Sequence, residues 1–142
     1  MPATTATASD LLALIFNGTA IADIAENDTT SPATTITVSL HTNSPGAGGD
    51  MTTNEANYTG YLRVTVARTS GGWTVSTNTV SPVSDITFPQ ATGGTNTITH
   101  MGVGSGVGDD LMAWGTVTPN ISVSDGVQPV LDTNTVITFA TT

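Results

Sequence analysis

The chain has no cysteine and no lysine, and only 9% of its 142 residues are charged. Without cysteine there is no disulfide framework, no thiolate zinc site and no thiol chemistry, and the redox compartment stays open. Cations are nearly missing too: Arg63 and Arg68 stand against eleven carboxylates, for a net charge of -9 and a pI near 4.1. A nucleic-acid binder needs cations to displace the counterions of phosphate, so no nucleic acid is expected as a partner. Anionic membrane surfaces are disfavoured for the same reason. The longest apolar run, residues 11–16, is six residues long, far short of the roughly 20 that span a bilayer, so no membrane partner is expected. No Lys or Arg precedes that run, which makes it a poor secretion signal. Aromatics are scarce at 5%, and most are needed for a core.

What the chain does have is threonine, about a fifth of all residues, with 37% hydrophobic residues and a mean hydropathy of +0.10. That composition is polar without being charged, which is not the signature of disorder. Threonine is β-branched, so it leans the chain toward strand. Residues 1–8 are Thr, Ala and Pro after Met1 and read as a flexible N-terminal arm. A single β domain is expected over 9–142, opening with a short helix at about 9–17: Ser9 caps it, Asp10 meets the positive end of its dipole, and Asn17-Gly18 closes it. A polar loop follows at 26–32.

From Ile36 the period changes to two. Ile36, Val38 and Leu40 alternate with Thr37, Ser39 and His41, as a half-buried strand requires, and Leu62, Val64 and Val66 repeat the pattern. Further strands are expected at 73–77, 85–88, 97–103, 111–117, 121–123 and 135–140. Turn signals stand between them, among them Ser70-Gly71-Gly72, Thr92-Gly93-Gly94, Pro119-Asn120 and Asp125-Gly126. Many short strands at this spacing predict an all-β fold, a β-sandwich or jelly-roll-like barrel with the short helix and extended arm at its N-terminus.

Candidate chemistry is thin. The run Gly102-Val103-Gly104-Ser105-Gly106-Val107-Gly108 invites a phosphate-loop reading, but it lacks the GxGxxG spacing and the GK[ST] ending, and Asp109-Asp110 would repel phosphate. It reads as a flexible hairpin loop. Asp109 and Asp110 could help hold calcium, but the ligand-rich loop pattern is absent and a solvated loop tip fits better. His41 and His100 fall on different strands with no second ligand at metal-site spacing, so they read as sheet residues making a hydrogen bond. Asp, Ser and His are all present, yet no GxSxG nucleophile elbow occurs. No enzyme activity, no catalytic residue, no metal and no cofactor is expected. Trp73, Trp114, Tyr58 and Tyr61 could line a sugar-stacking surface, or serve the core.

Three stretches carry a resemblance. The first runs from Val38-Ser39-Leu40-His41-Thr42-Asn43-Ser44-Pro45-Gly46 through Glu55 and Tyr58-Thr59-Gly60-Tyr61 to Arg63-Val64-Thr65-Val66-Ala67-Arg68. The second is Gly72-Trp73-Thr74-Val75 with Ile86-Thr87-Phe88-Pro89, and the third is Thr97-Ile98-Thr99-His100-Met101-Gly102-Val103-Gly104. Together they resemble a family of small tailed-bacteriophage virion proteins, across most of the chain. The family pattern holds no catalytic residue. The long insertion before Ile36 and the Thr-rich arm depart from it. The resemblance implies a virion structural protein: a capsid decoration, or cement, protein that binds the major capsid protein and stabilises the outer shell. A tail-fibre or receptor-binding component is the alternative, and a carbohydrate-binding module a remote one. Thr-rich strands without a Lys guard leave sheet edges open to pairing, so a homo-oligomer, a trimer, is expected. Leu11, Leu12, Ile15 and Phe16 form an apolar helix patch suited to anchoring on a neighbour. Tyr58, Tyr61 and Arg63 are first a structural unit, with the guanidinium stacked on a ring or paired to Glu55, and second a candidate interface.

Overall fold

A computed structural model describes residues 5–20, 33–106, 108–109 and 111–139, with the side chains of the first helix described from Ser9 onward. The elements in chain order are α1 (Thr5–Asn17), β1 (Thr35–His41), β2 (Val64–Ala67), β3 (Trp73–Ser76), β4 (Thr79–Pro82), β5 (Ile86–Thr87), β6 (Asn96–Gly104), β7 (Ala113–Val123), β8 (Val130–Leu131) and β9 (Ile137–Thr138). Among the described residues the fold is all-β with one short helix, as the alternating pattern predicts. Residues 1–4 of the expected arm, the loop at 26–32, Asp110 and the last residue of the strand expected at 135–140 lie outside the described residues. Contacts gather into two compact units built from discontinuous segments: residues 1–34, 67–85 and 132–142 form one, residues 35–66 and 86–131 the other.

The first unit holds α1 and a three-stranded sheet in the order β3-β4-β9. The helix begins at Thr5, four residues before the start expected at Ser9, so residues 5–8 are helical and not part of an extended arm. Ala6 and Ala8 are strong helix formers and nothing between them and Ser9 breaks the helix, so Ser9 and Asp10 become interior positions. Its end is where Asn17-Gly18 places it. Gly18 turns into the left-handed region (φ 64°) and the Thr19 N–H bonds back to the Ala13 carbonyl at 3.1 Å. The last turn has no basic residue of its own. Arg68 supplies one from across the unit: Nε donates to the Ile15 carbonyl at 2.6 Å, Nη2 to that of Leu14 at 2.7 Å and Nη1 to that of Ala33 at 2.9 Å. A cation thus meets the negative end of the helix dipole and its orphan carbonyls. Leu12, Phe16, Trp73 and Val80 are buried, and the Phe16 ring meets the Trp73 ring edge-on at 4.8 Å.

The second unit is built on an antiparallel sheet in the order β2-β1-β6-β7, with the short pair β5-β8 beside it. β1 pairs with β6 from Thr37↔Gly104 to His41↔His100. The half-buried alternation expected of β1 is not what forms: Ser39 and His41 are as buried as Val38 and Leu40, all at 0% exposure. The polar face is covered because residues 42–56 fold back along it. The Thr42 N–H bonds the Asn54 carbonyl and the Ala56 N–H bonds the Leu40 carbonyl, each at 2.8 Å. The other surprise is β7. The strands expected at 111–117 and 121–123 both pair with β6 and together form one strand of 11 residues, and the turn signal at Pro119-Asn120 falls where that ladder is interrupted. Its register against β6 jumps from Ile98↔Ile121 to His100↔Thr116, so 117–120 bulge away from the ladder. Proline has no N–H to give a ladder, and a bulge on an edge strand is where a sheet accepts one.

Candidate functional site

Two clusters in the second unit hold most of its polar chemistry, and both start from β1. Ser39 and His41 are two residues apart on a strand, hence on one face. The Ser39 hydroxyl lies 2.8 Å from His41 Nε2, and His41 Nδ1 lies 2.8 Å from the Thr53 carbonyl. A carbonyl only accepts, so Nδ1 carries a proton; in the neutral ring, the form that burial favours, Nε2 accepts from the Ser39 hydroxyl. Burial pushes the His41 pKa below its ordinary value; the Thr53 carbonyl and the Glu55 charge oppose that shift in part. The order serine, imidazole, acceptor is that of a hydrolytic triad. Access is what it lacks. Both side chains are fully buried, and Gly102, the β6 residue opposite Ser39, leaves them the room they occupy: a Cβ placed there would stand 2.8 Å from Ser39 Oγ and 2.9 Å from His41 Nε2. The pair satisfies two buried polar groups on a central strand.

The second cluster gathers the Tyr-x-Gly-Tyr-x-Arg unit. The Tyr61 hydroxyl accepts the Leu40 N–H and donates to Glu55 Oε1, both at 3.0 Å. Burial raises the Tyr61 pKa, so the phenol keeps the proton it donates. Arg63 grips Glu55 with both prongs, Nε to Oε1 at 2.6 Å and Nη2 to Oε2 at 2.8 Å, and its Nη1 reaches Asp109 Oδ1 at 2.8 Å. Those hydrogen bonds to Glu55 raise the Arg63 pKa. Of the two arrangements expected for the guanidinium, pairing with Glu55 is the one formed. Tyr58 is buried, its hydroxyl donating to the Pro89 carbonyl at 2.9 Å; its ring meets Tyr61 edge-on at 5.3 Å, and Tyr61 stacks on Phe88 at 6.3 Å.

These placements correct the candidate interface. Leu12, Phe16 and Tyr58 are buried within the chain at 0%, 1% and 3% exposure and cannot present a contact surface. Leu12 and Phe16 are apolar and Tyr58 is aromatic, and the chain's own core claims them first. Leu11 and Ile15 on the helix, with Tyr61 and Arg63, are half-buried. Asp109 is not a bare loop tip: it anchors the glycine-rich segment through Arg63 and through its carbonyl, which accepts the Met51 N–H at 2.9 Å. Of the four aromatics considered for sugar stacking, Trp73 and Tyr58 are buried, and Trp114 on β7 stands well exposed at 41%. Among the described residues, no group of three or more His, Asp or Glu is placed to hold a metal ion. The Ser39–His41 pair escaped the sequence reading, although Ser-x-His within an alternating strand was its signal.

No curated protein matches the chain. A family model does: residues 2–138 match the family described as Gp80, podophage GP4 fiber I protein gp80. That match spans nearly the whole sequence, and the chain belongs to this family of phage virion structural proteins.

Proposed function

We propose that the chain is a structural component of a podophage tail fibre, acting without catalysis as part of a homotrimer. The observation that carries this reading is the family match over residues 2–138, whose description is that of a fibre protein. The site chemistry supports it. The serine–histidine pair is fully buried beside Gly102, Arg63 is held by Glu55 and Asp109, and the aromatic cluster packs internally, so these groups serve rigidity. A fibre needs stiff subunits more than it needs reactive ones.

Decoration of the capsid, bound to the major capsid protein, is the competing position in the virion. Copy number separates the two. Quantitative mass spectrometry of purified virions, referenced to the major capsid protein, is expected to give a few copies per tail. Hundreds of copies per particle, or loss of the protein with the shell of tailless heads, would place it on the capsid instead.

A further inference from the structure

We propose that copies of this chain join by continuing one sheet into the next, the free edge of β7 in one copy pairing with the free edge of β2 in its neighbour. The proposal deepens the homotrimer reading and rests on it. The β2-β1-β6-β7 sheet has two ends, and among the described residues neither end strand has a partner on its outer side. An unpaired strand edge is a row of N–H and C=O groups that another strand can complete. β7 offers the longer row, in two stretches at 113–116 and 121–123 on either side of the bulge at 117–120.

Two further observations point to a second copy as the occupant. Neither Val64–Ala67 nor Ala113–Val123 contains an ionisable side chain, in a chain whose net charge is -9. Like-charged copies repel wherever carboxylates face one another, so uncharged strands are where they can approach, and no Lys guards either edge. The exposed apolar residues follow the same division. Among the described residues of this unit the exposed large hydrophobics are Leu62, Met112, Trp114 and Val130; Val130 is on β8, Leu62 (68%) precedes β2, Met112 (36%) precedes β7 and Trp114 (41%) is its second residue. Each edge thus brings an apolar residue to the seam, and Trp is the side chain interfaces most often use as an anchor. Pairing β7 with β2 is head-to-tail, the kind of contact that closes into a ring of three.

The absence of cysteine makes the test clean. Thr65 on β2 and Thr116, Thr118 and Ser122 on β7 are all exposed. Thr65→Cys is combined in turn with Thr116→Cys, Thr118→Cys or Ser122→Cys, and the protein is mildly oxidised. Within one copy the two edges are three strand spacings apart, about 14 Å, beyond what a disulfide bridges. Any bond is therefore between copies. At least one double variant is expected to give covalent dimers and trimers on a non-reducing gel, with every single variant staying monomeric. Thr116→Lys is expected to shift the light-scattering mass toward monomer. Efficient dimers from Thr116→Cys alone would overturn the proposal in favour of β7 meeting β7. A wild-type trimer with no cross-link in any register, undisturbed by Thr116→Lys, would overturn the seam and leave the trimer standing. A monomeric wild-type protein would remove both.

Discussion

Gly102→Ala is the sharpest test of how the second unit is held together. The glycine does not owe its place to backbone freedom, since its φ is not in the left-handed region. It owes it to space. An added Cβ would lie 2.6 Å from Leu111 Cδ1, 2.8 Å from Ser39 Oγ and 2.9 Å from His41 Nε2. Leu111 is half-buried and can swing away. Ser39 and His41 cannot, being fully buried and bonded to each other. Overpacking of this kind costs about 1–3 kcal/mol. Forcing the serine–histidine hydrogen bond apart adds roughly 1 kcal/mol. The sum is about 2–4 kcal/mol, which for a chain of this size lowers Tm by roughly 6–15 °C. Calorimetry of Gly102→Ala measures it. Gly115→Ala on the neighbouring strand is the control: its Cβ would meet nothing within 4 Å, so that variant is expected to hold its Tm or gain about 0.4–1 kcal/mol. An unchanged Tm in Gly102→Ala, or equal shifts in the two, would refute the buried-pair reading.

Three other expectations follow from the same contacts. Phe16→Ala removes a ring that is 1% exposed and packed edge-on against Trp73; it should cost about 3–5 kcal/mol in denaturant unfolding, whereas an anchor waiting for a partner would cost almost nothing. Arg63→Lys keeps the charge but loses the fork on Glu55 and the reach to Asp109, so a loss of roughly 1–2 kcal/mol is expected, more than the 0.2–1 kcal/mol of an exposed pair. His41 gives a pH dependence whose sign is fixed by its lowered folded pKa. The unfolded chain takes up a proton near pH 6.5 and the folded chain resists it, so stability is complete above about 6.5 and falls as pH drops through it, by at most about 1.4 kcal/mol per unit. Urea titrations at pH 7.5 and 5.5 should show that loss, and His41→Gln should flatten it. Asp50 acts in a separate window: its pKa is lowered by the Thr52 and Thr53 hydroxyls and the amides of the same residues, so its contribution is present above about pH 3.8 and lost below.

Short-range signals were legible in the sequence, and long-range partnerships were not. The period of two located β1, β2 and β6, and Asn17-Gly18 located the end of α1, because alternation and left-handed glycine are properties of neighbouring residues. Glu55 as the partner of Arg63 was within reach, eight residues away. Asp109, 46 residues away, was not, nor was Arg68 as the cap of a helix more than 50 residues upstream. β8 is two residues long and exists by its register with Ile86 and Thr87, which local pattern does not encode. Pro119-Asn120 marked the break in the β7 ladder; that the chain resumes on the same neighbour after the break, at the edge of the sheet, is a long-range fact that local pattern does not encode. The apolar patch on α1 reads in sequence as an anchor for a neighbour. That Trp73 covers Phe16 is a fact of tertiary structure.

The two tryptophans fall one to each compact unit: Trp73 in the first at 1% exposure, Trp114 in the second at 41%. Intrinsic fluorescence therefore carries two separable channels without any label. A neutral quencher such as acrylamide should extinguish the red-shifted emission of Trp114 and spare the blue emission of Trp73, and Trp114→Phe leaves a pure reporter of the first unit. Melting curves recorded in the two channels would coincide if the units unfold as one cooperative block, and would part if each has its own stability. Capture of Trp114 in a subunit seam would shift its channel alone to the blue, so that assembly and folding can be followed in the same cuvette by wavelength.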